Sequence, residues 1–334
     1  MDHPQAMKHL SLEQAFAFAQ QRCLAHGTSE PVALSLAQAT VDAEAHGLPE
    51  VGFSHLADYL DGFACSRIHP TVEPTLTHPA PAMIRCDARK GIAQLGFDRA
   101  FIPLRNAARQ LGIALFAQHN GFTCGELGYY TRRLADEGLV GLGFTNGPPL
   151  LTVSGQGQPM YSTNPLAFAA RAADGRKVLL DQSSSATAFV KILKAAHANE
   201  PIPAGWAVDA RGQETQNARD ALQGALLAFG GHRGANIALM IEVLAAGMTG
   251  ANWSLDSASF RQGSESPGSG LLVIAIAPHL LDEHFEQRLA QQLTRLEALG
   301  VHRPGKAKEE AYARARREGI KLPWGLYEQL ASMS

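Results

Sequence analysis

Residues 140–181 read VGLGFTNGPPLLTVSGQGQPMYSTNPLAFAARAADGRKVLLD. Val140-Gly141-Leu142-Gly143-Phe144-Thr145 suits a buried strand, and further strands are predicted at 166–170, 177–181 and 271–277. The strands between 144 and 181 are joined by short turns rather than by helices, which argues against a doubly wound parallel sheet and for a mixed α/β or α+β chain. Gly155-Gln156-Gly157 lacks the third glycine and the following helix of a dinucleotide fingerprint, and no G-x-G-x-x-G follows an early strand. A phosphate-binding G-x-x-x-x-G-K-[ST] and a hydrolase G-x-S-x-G are absent too, since Gly268-Ser269-Gly270 has the wrong spacing.

Toward the N-terminus, residues 98–112 read as an amphipathic helix ending near Gly112, followed by the strand Ile113-Ala114-Leu115-Phe116-Ala117. A glycine-containing turn at 120–125 leads into a helix over 126–137. Residues 11–26 and 31–46 carry apolar residues at helical spacing, with Ser11 and Ser29 as their starts. The stretch 66–82, rich in proline, threonine and histidine without periodicity, reads as a connection. Toward the C-terminus, helices are predicted at 185–197, 235–249, 281–298 and 306–318.

Composition limits the function classes. The 334 residues are 46% apolar and 18% charged, the profile of an ordinary globular chain long enough for one large core or two. Lys plus Arg at 29 against Asp plus Glu at 31 gives a net charge of −2 and no electrostatic ground for nucleic acid or an anionic membrane. Met1-Asp2-His3-Pro4 lacks the basic and apolar parts of a signal peptide, and no apolar run approaches bilayer length, so the chain reads as cytoplasmic. Cys23, Cys65, Cys86 and Cys124 show no C-x-x-C spacing, and the 13 histidines include no H-x-x-x-H pair. Neither a disulfide framework nor a metal site is expected.

Residues 229–250, FGGHRGANIALMIEVLAAGMTG, run from a glycine-rich loop into a helix that is apolar almost all round. Such a helix is expected to be buried, with Glu242 paired inside it. Its N-terminus then offers N–H groups and positive dipole, with Gly230, Gly231 and Gly234 allowing close approach and His232 and Arg233 adding charge. Two readings stay open for this segment: an anion site, or a glycine-rich helix start.

Several ordered segments resemble the type-2 malate/L-lactate dehydrogenase family. They are Asn120 to Tyr130, Thr145-Asn146-Gly147-Pro148-Pro149, Ser162-Thr163-Asn164-Pro165-Leu166, Asp181, Pro203-Ala204-Gly205-Trp206 and Phe229 to Gly234. Residues 229–256, through Gly250-Ala251-Asn252-Trp253-Ser254, are most similar to the branch that reduces Δ1-piperideine-2-carboxylate and Δ1-pyrroline-2-carboxylate. The resemblance implies a homodimer with a non-Rossmann nicotinamide-binding fold, a mostly antiparallel central sheet, and NADPH or NADH as cofactor. It implies cofactor contacts at Phe122, Thr123, Cys124, Gly125 and Glu126, at Asp181, Gln182 and Ser183, at His232 and Arg233, and at Ser264 and Gly268, with Thr163 at the substrate. The expected organisation is a helical region, 1–75, packed with C-terminal helices in 280–334, a central sheet segment, 76–120, and a cofactor- and substrate-binding part, 121–279.

The departures bear on mechanism. Family members usually carry Ser-His-Gly followed three residues later by Arg, the histidine donating a proton and the arginine clamping the substrate carboxylate. Here the run is Glu50-Val51-Gly52-Phe53-Ser54-His55, so valine stands at the proton donor and His55 at the arginine. His46, Glu50 and His55 are the candidates to take over catalysis, each alone also reading as an ordinary polar loop residue. His55 is further expected to hold the carboxylate as an imidazolium. Lys191 reads as solvated, and Cys124 carries no argument for a nucleophile.

A ketone under reduction develops alkoxide charge that must be protonated or stabilised, whereas a protonated imine already carries the charge that hydride neutralises. Loss of the acid therefore favours a small carboxylated cyclic imine over a 2-oxo acid. The alternatives are a 2-hydroxy-acid dehydrogenase and a member that binds a nucleotide or metabolite without turnover.

Overall fold

The computed structural model describes residues 6–153 and 157–333. Met1-Asp2-His3-Pro4, and Gly155 and Gln156 of the Gly155-Gln156-Gly157 run, lie outside the described residues.

Strand β1 (Met7–Leu10) leads into helices α1 (Leu12–Ala25), α2 (Glu30–Ala45) and α3 (Phe53–Ala64). Ser11 closes a capping box with Gln14 at the start of α1, the two bonds measuring 2.9 and 3.1 Å. Ser29 occupies the same position before α2 but makes no side-chain cap bond. Pro31, in the first turn, has no N–H to offer it.

The hairpin β2 (Thr75–Ala80) and β3 (Met83–Asp87) begins inside the stretch read as a connection, because paired edge strands need no apolar run to be held. Then come α4 (Ala93–Leu111), β4 (Ile113–Gly121), α5 (Leu127–Asp136) and β5 (Val140–Thr145). After β6 (Leu151–Thr152), strands β7 (Leu166–Arg171) and β8 (Lys177–Gln182) form a tight antiparallel pair. Helix α6 (Phe189–Ala198), β9 (Ala207–Val208), α7 (Ala218–Ala221), β10 (Ala225–Leu227) and α8 (His232–Glu242) follow. Strand β11 (Ser269–Ile276), helices α9 (Phe285–Ala298) and α10 (Lys306–Glu318), strand β12 (Ile320–Pro323) and α11 (Trp324–Ser332) complete the chain.

The main sheet has the order β2-β3-β4-β11-β5-β7-β8 and is antiparallel except between β3 and β4. A short turn joins β7 to β8, whereas the longer connection expected to be a turn between β5 and β7 carries β6 into a second, small sheet; the mixed, mostly antiparallel fold class holds. Small residues let helix and sheet approach: a Cβ on Gly141 would lie 2.9 Å from the Thr131 carbonyl oxygen of α5.

Three cores result. One joins α1, α2 and α3 to residues from the other chain end, Ala315, Ile320, Leu322 and Leu330. A second packs α4 and α5 on the sheet through Phe97, Phe116 and Tyr130, and a third holds the small β6-β10-β9 sheet against α6, α7 and α8.

The helix expected over 235–249 differs in two ways. It ends as an α-helix at Glu242 and continues as a π-turn over Val243–Gly247, and it is buried on one face only. Leu239, Met240, Val243 and Met248 are exposed, and so are His232 and Arg233 at its start. An all-apolar pattern fixed the absence of a polar face, not the presence of a cover within the chain.

Candidate active site

Helix α3 buries Phe53, Leu56, Leu60 and Phe63, and that apolar register sets where its polar residues go. His55, Asp58 and Tyr59, at i, i+3 and i+4, share one side and meet the turn after β4. His55 Nδ1 lies 2.7 Å from Asp58 Oδ2, and Nε2 lies 2.8 Å from Thr123 Oγ1. Tyr59 donates to the Thr123 carbonyl at 2.8 Å, and Gln94 of α4 donates to the Tyr59 oxygen at 2.8 Å and to the Cys124 carbonyl at 3.2 Å. Across the site, Arg261 binds Asp58 through two nitrogens at 3.1 and 3.2 Å, and Phe260 stands edge-on to His55.

A second cluster lies beneath the end of β8. Arg132 of α5 binds both oxygens of Glu126, at 3.0 and 2.9 Å, and also Asp42 of α2. Lys308 of α10 reaches Glu126 at 3.1 Å and lies 3.9 Å from Asp181, whose Oδ2 accepts the Gly128 N–H at 2.8 Å. Burial alone would raise the Glu126 carboxyl, but Arg132, then Lys308, overcome it and hold it at about 2. Asp181 goes the other way, pushed up to about 6 by burial, with Lys308 opposing and Glu126 adding to the rise.

The third element is the Phe229-Gly230-Gly231 turn with the first turn of α8. Gly230 and Gly231 have φ of +56° and +63°, and nothing lies within 4 Å of where a side chain would stand. Gly234 is the opposite case, its Cβ position 2.3 Å from the Phe229 carbonyl oxygen and 3.1 Å from that of Ser184. The loop is thereby locked to the segment after β8: Phe229 N–H donates to the Ser184 carbonyl at 3.1 Å, and the Ser184 hydroxyl donates to the Asn164 carbonyl at 2.8 Å. The buried oxygens Thr187 Oγ1, Asn164 Oδ1 and Ser266 Oγ have no hydrogen-bond partner among the described residues. A dinucleotide suits the open glycine loop, whose backbone and cations are placed to take its phosphates.

The sequence-chosen residues divide accordingly. Asp181, Ser183, Thr163, His232 and Arg233 belong to segments the structure brings together: the Thr163 carbonyl accepts the Ser184 N–H at 2.8 Å, and Ser183 Oγ lies 2.8 Å from Ser185 Oγ. Gln182 ends β8 on the exposed side, and Ser264 is exposed. Gly268 is closed in by Asn252, 2.4 Å from its Cβ position. Phe122 is fully buried in the helical core, and Gly125, with φ of +67°, carries the turn past Gln94. Glu126 is saturated by Arg132 and Lys308.

His46, Glu50 and His55 do not converge. His46 bonds the Asp42 carbonyl at 2.7 Å and stacks on Tyr312, its pKa lowered by burial and then by Arg132. Glu50 pairs with Lys194 at 2.8 Å; burial would raise its carboxyl, but Lys194 leaves it below the usual range, a poor proton donor. His55 has both ring nitrogens engaged within the protein, by Asp58 and Thr123. Burial pushes the Cys124 thiol up to about 12, so it is no nucleophile. Lys191 lies 5.8 Å from the centre of the Trp206 ring. Glu242 has its expected partners, Asn164 Nδ2 at 2.7 Å and Ser254 Oγ at 2.8 Å.

Asp58, Tyr59 and Gln94 escaped the sequence reading. The i+3 and i+4 spacing from His55 was the available signal for the first two, while Arg261, 203 residues beyond Asp58, had none. A cavity of about 330 Å³ beside Arg109 and Phe285 and another of about 340 Å³ beside Asn199 and Asn217 share no lining residue with this site. No group of histidine, cysteine and carboxylate side chains able to hold a metal ion occurs among the described residues.

Comparison with known proteins places the chain. The malate/L-lactate dehydrogenase family profile matches residues 10–331. The Δ1-pyrroline-2-carboxylate reductase of Pseudomonas fluorescens is 34% identical, over 97% of this chain and 98% of that one. The (2R)-3-sulfolactate dehydrogenase (NADP+) of Chromohalobacter salexigens is 35% identical over 96% of each. The crystal structure of Δ1-piperideine-2-carboxylate reductase from Pseudomonas syringae pv. tomato superposes with a TM-score of 0.93 at 32% identity, covering 98% of this chain and 100% of that one.

Proposed function

The chain belongs to the malate/L-lactate dehydrogenase family and is an NAD(P)-dependent oxidoreductase, and from that premise we propose that it reduces a small carboxylated cyclic imine, Δ1-pyrroline-2-carboxylate or Δ1-piperideine-2-carboxylate, to the L-amino acid. Full-length similarity to reductases of that substrate class supports the reading, and Val51 at the family's proton-donor position carries it, because a protonated imine needs no acid there.

The reduced nicotinamide, when bound, supplies hydride. His232, Arg233 and the Gly230-Gly231 backbone would hold its phosphates, with the half-buried Ser183 on the adjoining segment. Asp181, with a carboxyl near 6, would present a proton or a charge beside them. Thr163 remains the first candidate for the substrate carboxylate now that His55 is engaged elsewhere.

We assign the working state to a homodimer in the cytoplasm. The exposed apolar row Leu239, Met240 and Val243 on α8 supports a face for a second copy to cover, and the four free cysteines fit a reducing compartment. No helix among the described residues is long and apolar enough to cross a membrane.

The test is cofactor oxidation over a panel of cyclic imines and 2-oxo acids. We expect a larger kcat/KM with NADPH or NADH for at least one imine than for pyruvate or oxaloacetate. The similarity to a sulfolactate dehydrogenase makes the oxo-acid arm a real competitor. An oxo acid reduced more efficiently than every imine overturns the reading, and tight dinucleotide binding with no turnover on either class identifies a binding protein.

A further inference from the structure

Asn252 and Ser257 draw the chain that follows the π-turn into a closed loop. The Asn252 N–H donates to the Gly268 carbonyl at 3.1 Å and its side-chain nitrogen to the Pro267 carbonyl at 3.0 Å, while the Ser257 hydroxyl donates to the same Pro267 oxygen at 2.8 Å. These bonds form a neck that brings the two ends of residues 257–267 together just before β11, the build of an Ω-loop. Within the loop, no backbone group of residues 258–266 pairs with another backbone group among the described residues, and Ser259, Gln262, Gly263, Ser264 and Glu265 are exposed.

What holds the loop lies on another part of the molecule. Its tip reaches from the sheet to the helical region, where Phe260 packs on the first core, edge-on to His55 at 5.9 Å and to Phe122 at 6.4 Å. Arg261 clasps both oxygens of Asp58 on α3, at 3.1 and 3.2 Å. Arg67, only 2% exposed and already paired with Asp61, donates to the Gly263 carbonyl at 2.7 Å. Each attachment depends on a side chain and lies at the tip, so the three can be released together while the neck stays shut.

The closed position is balanced rather than locked. One partly buried ring, one half-exposed ion pair and one hydrogen bond hold it. Against them stands Ser266 Oγ, buried without a partner among the described residues, an unmet group that opening returns to water.

We propose that residues 257–267 are a strap that opens and shuts over the start of α3 and the turn at Phe122, latched by Arg261 on Asp58 and by Arg67 on the Gly263 carbonyl. Opening is a local event that leaves the main sheet and the three cores folded. It uncovers His55 and Phe122, the two rings against which Phe260 stands. The strap is independent of which substrate the enzyme reduces.

Proteolysis of the full-length, cofactor-free protein tests this, because cleavage tracks the population of the open form. Endoproteinase Glu-C should cut after Glu265 under conditions where urea unfolding shows the rest of the chain folded, with rates normalised to a free peptide spanning residues 259–269. Arg261→Gln should raise the rate about two- to fivefold, the size of one exposed ion pair, and leave the urea midpoint in place. Arg261→Lys, which keeps the charge but not the two-pronged grip, should fall between the two. Salt at about 0.5 M should speed cleavage of the wild type and add little in Arg261→Gln, since the pair it screens is already gone. Phe260→Ala should have the larger effect, about tenfold, because it removes the ring that packs on the core. Cleavage seen only at urea concentrations that unfold the whole chain overturns the strap. So does cleavage that is fast in the wild type and indifferent to Arg261→Gln, to Phe260→Ala and to salt, which would describe a loop with no latch.

Discussion

Two charged regions meet the segment that follows β8, and they differ in whether their charges are answered within the chain. On one side Asp42, Arg132, Glu126, Lys308 and Asp181 form a buried network in which each charge has a partner. On the other, His232 and Arg233 stand exposed at the start of α8, with no ion pair among the described residues. Both regions carry residues that the family resemblance assigns to the cofactor. The contrast separates charges that hold the fold from charges left over for a ligand.

The largest effect should come from the closed side. Arg132 answers both Asp42 and Glu126, so Arg132→Met removes the arginine from Asp42 and leaves the buried Glu126 with Lys308 alone, at a cost of about 3–5 kcal/mol. Urea unfolding measures this, and a loss under about 1 kcal/mol would show that the network is not what holds α2, α5 and α10 together. A double change, Arg132→Met with Glu126→Gln, should recover part of the loss, because the damage lies in the stranded charge rather than in the missing bonds.

The same network should be pH-sensitive in two opposite senses. Glu126 has its carboxyl lowered from 4.5 to about 2, so its stabilisation is complete above the unfolded value and is lost as pH falls from there toward 2. Asp181 is raised from 3.8 to about 6, so ionising it penalises the folded state, and the penalty grows as pH rises through that interval. Asp181→Asn should therefore stabilise the protein at pH 7.5, by about 1–2 kcal/mol once the loosened Lys308 contact is counted, and do nothing near pH 4. Thermal melts at the two pH values check it. A variant less stable than wild type at pH 7.5 would mean that Asp181 belongs to the closed network as a supporting charge; a more stable one with weaker dinucleotide binding would place it with the ligand-facing group.

Much of this arrangement was legible in the chain, for reasons that also explain the gaps. Strands β5, β7 and β8 were readable because their apolar runs are bounded by turn residues, and α10 because its polar face and its capping glycines mark its ends. The hairpin β2-β3 was not, since its exposed outer strand is held by backbone pairing and leaves no periodic trace. Helix α3 was missed because it follows the substituted Glu50-Val51-Gly52 run, and reading that run as a loop hid Asp58 and Tyr59 behind His55. In the site, Arg132 could be recognised as basic but not as a partner of Asp42, 90 residues away. Local chemistry marks a residue's type; only the fold gives it its counter-charge.

The open side should give the smallest effect on stability and the most specific effect on binding. Arg233 is exposed at a helix start, so Arg233→Ala should leave the urea midpoint unchanged while raising the dinucleotide dissociation constant about tenfold, the loss expected for one charge-assisted contact. Comparing the two cofactors sharpens the assignment. If Arg233 holds the pyrophosphate that both share, affinity for NADPH and NADH should fall together; if it answers the extra 2′-phosphate, NADPH alone should weaken, and Arg233→Lys should retain part of that preference because a point charge suffices there. The glycine pair supplies a control independent of charge, since a side chain at Gly231 would be forced to φ +63° and into the open space the phosphates need. Gly231→Ala should then weaken both cofactors alike whatever Arg233 does. Affinity unchanged in both Arg233→Ala and Gly231→Ala would move the cofactor away from this loop, and the unanswered charges at the start of α8 would need another ligand.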